Sequence, residues 1–165
     1  MKTLVINSKK HGEHVIMYDD ADHEVVSKHS WHIIKSFRTF YAQTNYYPEG
    51  VEHKKVNRRS IKMHQILLKT QSSDIIIDHK DGNGLNNQRK NIRTCTQQEN
   101  AINKGSVGAI KYKGVYQVRD KYRTAIKKGK QRINLGYYNT PKDAAKAYNI
   151  KAVELFGEFA FLNSI

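Results

Sequence analysis

The run 74–79, Asp-Ile-Ile-Ile-Asp-His, is an apolar stretch ending in two residues that could do chemistry, Asp78 and His79. Two asparagines follow at a distance, Asn91 and Asn100. A histidine with an unperturbed pKa near ~6.5 can be neutral and basic at physiological pH. The Asp78 carboxylate offers a hard oxygen of the kind Mg²⁺ or Mn²⁺ takes, with waters completing the shell. Adjacent residues of a strand point to opposite faces, so Asp78 and His79 can serve one site only at a strand end or a local twist. Alone, an Asp-His at a strand end is ordinarily a hydrogen-bonded surface turn.

The elements that must hold these residues follow from local pattern. Residues 74–79 read as a buried-type strand, and Lys80-Asp81-Gly82-Asn83-Gly84 as a turn-rich loop whose glycines permit positive φ. Ile92-Arg93-Thr94-Cys95 is a second strand, and Thr96 with Glu99 three residues later forms a capping-box signature for a helix through about residue 103. Strand, loop, strand and helix make a ββα unit. Residues 1–70 read mostly as short strands: 15–18, 31–34 and 37–42, then a turn at Pro48-Glu49-Gly50. The run 60–68 alternates first and then becomes continuously apolar, as a strand running into a helix would.

After a linker at 104–111, three strands are expected at 114–119, 122–127 and 132–137, with turns at Asp120-Lys121 and Lys128-Gly129-Lys130. Thr140-Pro141 is an N-cap followed by proline at the first helical position. The helix then carries Ala145, Tyr148, Ala152 and Phe156 along one face, with Gly157 as its stop. Strand alternation places Val115, Gln117, Thr124, Ile126, Ile133 and Leu135 towards that helix, and Tyr116, Val118, Arg123, Ala125, Lys127, Arg132 and Asn134 on the opposite face. The expected class is α+β: a small β-rich region leading into the ββα unit within 1–103, then a three-stranded antiparallel sheet packed on one helix over 112–165.

Composition narrows the partner. The chain has 165 residues with 29 Lys+Arg against 15 Asp+Glu, a formal net charge of +14. Ten of the basic residues fall between Lys104 and Arg132, against the single acid Asp120, and Tyr112, Tyr116 and Tyr122 are interleaved with them. A basic surface with interleaved aromatics points to nucleic acid. No run approaches the ~18 apolar residues of a membrane span, and the N-terminal apolar run is too short for a signal-peptide core. One cysteine, Cys95, excludes an intramolecular disulfide framework and a four-cysteine zinc cluster. His11, His14, His23, His29, His32 and His53 have no ligand spacing, so zinc is not expected. The expected setting is a soluble, cytoplasmic protein without membrane attachment.

The set Asp78-His79-Lys80-Asp81-Gly82-Asn83-Gly84-Leu85-Asn86-Asn87, then Asn91-Ile92-Arg93 and Asn100, resembles the HNH nuclease motif, most closely the type in phage and intron-encoded homing endonucleases. The resemblance implies that Asp78 and Asn100 ligate a metal, that His79 is the general base, and that Asn91 holds the loop and the histidine. Hydrolysis of a phosphodiester needs those parts: a base for the attacking water and a cation for charge on the phosphate and leaving oxygen. Arg89 and Arg93 are the candidate phosphate contacts. Related sequences commonly read Asp-Asn-Arg where this chain has Asn86-Asn87-Gln88, and the two asparagines read as turn formers. Met63-His64 matches a Met-His pair that often precedes the motif, and His64 reads as a buried packing residue.

Tyr112-Lys113-Gly114-Val115, Arg132-Ile133-Asn134-Leu135-Gly136-Tyr137-Tyr138, Ala144-Ala145-Lys146-Ala147-Tyr148 and Phe156–Asn163 resemble the DNA-binding domain of plant ethylene-response factors, the Apetala-two type. That likeness covers 112–163 and implies a sheet laid in the major groove of double-stranded DNA. The residues expected to meet DNA are Tyr116, Arg119, Lys121, Arg123, Lys127, Lys130, Arg132 and Asn134. The family usually has arginines at Tyr116 and Val118, a glutamate at Ala125 and a tryptophan at Asn134, so its base preference does not transfer. Together the two likenesses imply a site-selective, Mg²⁺-dependent homing endonuclease that nicks as a monomer or cuts both strands as a homodimer. A DNA-binding regulator with a degenerate HNH fold is the alternative, and an RNA-associated basic protein is a second.

Overall fold

The computed structural model describes residues 1–36, 39–70, 75–106 and 110–165. The strand positions expected at 37, 38 and 74, and residues 107–109 of the expected linker, lie outside the described residues. The chain divides into two compact units, Met1–Thr96 and Gln97–Ile165. The architecture is mixed, with several small antiparallel sheets and few helices, compatible with α+β. No helix among the described residues is long and apolar enough to cross a membrane.

In the first unit, β1 (Lys2–Ser8) pairs with β2 (Gly12–Tyr18) as a hairpin. The short helix α1 (His23–Ser27) follows. Next come β3 (His32–Ser36), β4 (Thr39–Tyr46) and β5 (Arg59–Lys62), an antiparallel sheet with β4 in the centre. The helix α2 (Met63–Leu67) begins directly after Lys62, its start closed by the Lys62 backbone N–H donating to Gln65 Oε1 at 3.0 Å. A third antiparallel pair, β6 (Ile76–His79) and β7 (Ile92–Cys95), is in register with Asp78 opposite Arg93 and His79 opposite Ile92.

Sheets of two or three strands are marginal alone. Here Ile16, Ile33, Ala42, Met63, Leu85 and Ile92, drawn from all three sheets, the loop and α2, share one buried cluster. Each large aliphatic side chain fully buried in it contributes roughly 1.5–3 kcal/mol. The N-terminal residues, which carry least information as sequence, therefore form the wall against which the 78–93 segment packs.

The second unit begins with α3 (Gln97–Ile102). Lys113 Nζ donates to the Ile102 and Lys104 carbonyls at the C-terminal end of α3, which ties that helix to this unit. The strands β8 (Val115–Val118), β9 (Lys121–Lys128) and β10 (Gln131–Tyr138) form an antiparallel sheet with β9 in the centre. The first turn falls at Arg119-Asp120, one residue earlier than expected. The sheet is covered by α4 (Pro141–Phe156), capped by Thr140 Oγ1 accepting from the Asp143 N–H at 3.1 Å. Ala144, Ala145 and Ala152 are fully buried, and these small side chains let the helix lie close to the sheet. Closeness is greatest at Gly114, where a Cβ would stand 2.2 Å from the Tyr148 ring.

Two facing assignments differ from simple alternation. Gln117 is exposed, because only Val115 of the edge strand β8 is buried and the rest of that strand runs on uncovered. Ala125 is buried at 5% exposure despite its outward parity. Arg132 on β10 lies 5.1 Å from the Tyr116 ring on β8, and that pair spans the middle strand across Ala125.

Candidate active site

The segment after β6 is held by its own polar side chains. Asn91 Nδ2 donates to Asp81 Oδ1 at 3.0 Å and to the Asn86 carbonyl at 2.8 Å, while Asn91 Oδ1 accepts from the Asp81 N–H at 3.1 Å. Asp81 in turn accepts from the Asn83 N–H at 2.8 Å and from Asn86 Nδ2 at 2.7 Å. Asn91 and Asp81 thus staple the loop 80–86 to the start of β7. The far side of the loop is fastened to the N-terminal sheets: the Gly84 N–H donates to Thr39 Oγ1 at 2.8 Å, and a Cβ at Gly84 would stand 2.5 Å from the Phe40 carbonyl and the Tyr41 ring. Only glycine permits that approach.

At the end of β6 the two neighbouring residues go separate ways, and both are buried. His79, 3% exposed, has the His64 ring at 4.9 Å centroid to centroid, edge-on, and the Tyr41 ring at 5.7 Å. His64 and Tyr41 are themselves 5.4 Å apart, and Lys62 Nζ lies 4.4 Å from the Tyr41 centroid. Asp78 takes two hydrogen bonds on Oδ2 from Arg93, from Nε at 3.1 Å and Nη2 at 2.8 Å. Tyr41 also feels Asp78: burial first, then the Asp78 charge, push its phenol above the usual value.

Burial makes both imidazoles less basic than a free histidine. Burial, then the neighbouring His79 imidazole and Lys62, push His64 down to about 3. Burial also lowers His79, against opposing contributions from Asn87, Asp81 and Asp78. A neutral imidazole beside an ion-paired carboxylate can accept a proton and can leave an oxygen ligand nearby for a hard cation. Among the described residues no group of three or more His, Cys, Asp or Glu gathers as a metal site.

The structure brings Asp78, His79, Asn91 and Arg93 together in the first unit. Asn100 lies on α3 in the second unit. Both arginines expected at phosphates pair with carboxylates, Arg93 as a buried side chain and Arg89 with its side chain 51% exposed. Arg93 is 9% exposed in its pair with Asp78. Arg89 donates to Asp22 from Nε at 3.1 Å and Nη2 at 2.7 Å, and its N–H donates to Asp19 Oδ2 at 2.8 Å. Asp78 and Asp22 are buried carboxylates, and each is compensated by one of these guanidinium groups.

On the second unit, Tyr116, Lys121, Arg123, Lys127, Arg132 and Asn134 share the face of the sheet away from α4, and Arg123 Nε donates to Asn134 Oδ1 at 3.3 Å. Arg119 and Lys130 are exposed at the two turns. Three residues at the His79 site were not singled out by sequence as functional. Tyr41 sat in an aromatic strand with no distinguishing spacing. Lys62 follows Lys54, Lys55, Arg58 and Arg59 in a basic stretch without distinguishing spacing, and Asn87 has the composition of a turn former. His64 was legible through the Met63-His64 pair.

The chain is 32% identical over 141 residues, 85% of its own length and 74% of the relative's, to a protein of Acanthamoeba polyphaga mimivirus named as an uncharacterized HNH endonuclease. No family model matches the chain.

Proposed function

The chain belongs to the HNH endonuclease family, and from that membership we propose a site-selective, metal-dependent DNA endonuclease that hydrolyses one phosphodiester at the His79 site. The observation that carries this reading is the buried His79 at the end of β6, walled by Tyr41 and His64 and next in sequence to the ion-paired carboxylate of Asp78. His79 takes the proton from the attacking water. Asn91 keeps the loop that follows His79 in place.

Asp78 provides a hard, ion-paired oxygen ligand of the kind Mg²⁺ or Mn²⁺ prefers. Asn100 is added as the second ligand on the strength of the motif. The bound cation would neutralise charge on the scissile phosphate and the leaving oxygen. Arg93 holds the Asp78 carboxylate in place, and Arg89 braces the segment after the loop against Asp19 and Asp22.

Double-stranded DNA is the proposed substrate, docked on the outer face of the β8–β10 sheet. The support is the row of cationic and aromatic side chains on that face: Tyr116, Arg123, Lys127 and Arg132, with Arg119, Lys121 and Lys130 at its rim and Asn134 as a polar reader. Each phosphate neutralised there releases counterions and adds to the salt dependence of binding. One active site per chain makes a nick, and a homing role predicts a target in the DNA flanking the protein's own gene.

The test is incubation with supercoiled plasmid carrying that flanking DNA, with Mg²⁺ or with EDTA. Conversion to open circle with Mg²⁺ alone supports the proposal. Intact plasmid that is nonetheless bound in a gel shift would make the protein a non-catalytic DNA binder. A preference for structured RNA over duplex at fixed salt would count against the docking face.

A further inference from the structure

Asn87 is 0% exposed, yet neither Nδ2 nor Oδ1 makes a hydrogen bond of full geometry among the described residues. An amide left unsatisfied in an interior costs about 1–3 kcal/mol. On packing grounds alone an aliphatic side chain of similar volume would be the more stable occupant.

The backbone leaves this side chain no other place to go. The Met17 N–H donates to the Leu85 carbonyl at 2.9 Å and the Asn87 N–H donates to the Met17 carbonyl at 2.7 Å, so Asn86 forms a parallel bridge to Met17 on β2. The segment is clamped from both sides, and the carboxamide is turned inward to His79, with which it interacts. The rings of His64 and Tyr41 also lie against that imidazole, at 4.9 and 5.7 Å.

We propose that Asn87 is a positioning residue for His79: its carboxamide engages one ring nitrogen and, with the His64 and Tyr41 rings as walls, holds the imidazole in one orientation and one tautomer. This rests on the reading of His79 as the base. A base in the wrong tautomer presents N–H where it must accept, and a ring free to turn spends only part of its time aligned. Asn87 meets this need without introducing a charge, because its amide can donate or accept.

The test uses the full chain with ¹⁵N-labelled histidine, in the variants Asn87→Leu and Asn87→Ala. Long-range ¹H–¹⁵N correlation spectra, with the His79 signals identified by their loss in His79→Gln, report the tautomer. We expect one tautomer in the wild type and a mixture in both variants. In single-turnover cleavage we expect kcat to fall on the order of 10²-fold with KM for plasmid unchanged. The Leu variant should melt no lower than the wild type, and if Leu is not accommodated the Ala variant gives the same two readouts. A single unchanged tautomer in a folded variant overturns the proposal, whatever happens to kcat. A wild type that shows the tautomer effect but cuts no DNA would sink the nuclease reading and leave the positioning role standing.

Discussion

Arg93 and Asp78 face each other across the β6–β7 pair and form a two-bond ion pair, with side chains 9% and 8% exposed. Removing one partner of a buried pair leaves the other charge uncompensated, at a cost of about 3–5 kcal/mol. Arg93→Ala should therefore lower unfolding stability by about 3 kcal/mol in urea titrations, and Arg93→Lys by less. A loss under about 1 kcal/mol, the range of an exposed pair, would mean that water already compensates Asp78.

His64 predicts an acid-side instability. Its folded value is lowered to about 3, below the ordinary 6.5. Below that ordinary value the unfolded chain takes up a proton that the folded chain refuses, so stability falls as pH drops from about 6.5 towards 3, by at most about 1.4 kcal/mol per pH unit. Thermal melts between pH 7 and pH 4 should show this slope, and His64→Phe should flatten it. Parallel slopes in the two proteins would place the acid sensitivity elsewhere.

Gly84 is the contact through which β4 reaches the loop. In Gly84→Ala the new methyl group meets backbone and a ring at 2.5 Å, so overpacking should cost about 1–3 kcal/mol and displace Tyr41 from His79. Fluorescence-monitored unfolding checks the first and nicking rate the second. Wild-type values for both would show that the loop moves aside freely.

Arg132→Ala should weaken duplex binding and reduce the slope of log affinity against log salt by about one contact. Tyr116 loses its cationic neighbour in the same variant. An unchanged slope from gel shifts at several salt concentrations would move the DNA surface off this sheet.

Local signals carried much of the fold. The alternating stretch from Ser60 that closes in Ile66-Leu67-Leu68 signals a strand running into a helix, as β5 and α2 are, and Thr140-Pro141 with Gly157 brackets α4. What stayed hidden depends on partners remote in sequence. Arg89 meets Asp22 across 67 residues and Arg93 meets Asp78 across 15, so neither commitment shows in a window of local sequence. Tyr41 reaches His79 only because Gly84 lets β4 approach the loop. Asn86-Asn87 has turn composition, and only the backbone clamp on Met17 reveals that Asn87 is interior. Parity misplaced Ala125, since an exposed-face alanine is covered when longer neighbours meet above it.

The most direct test is nicking by His79→Ala beside the wild type, with duplex affinity measured on the same preparations. The wild type should convert supercoiled plasmid to open circle in Mg²⁺ and not in EDTA. His79→Ala should bind duplex within about twofold of the wild type and cut at least on the order of 10²-fold more slowly, as loss of a general base requires. Wild-type cutting by His79→Ala, or an equal loss of cutting and binding, would contradict the assignment of His79 as the base.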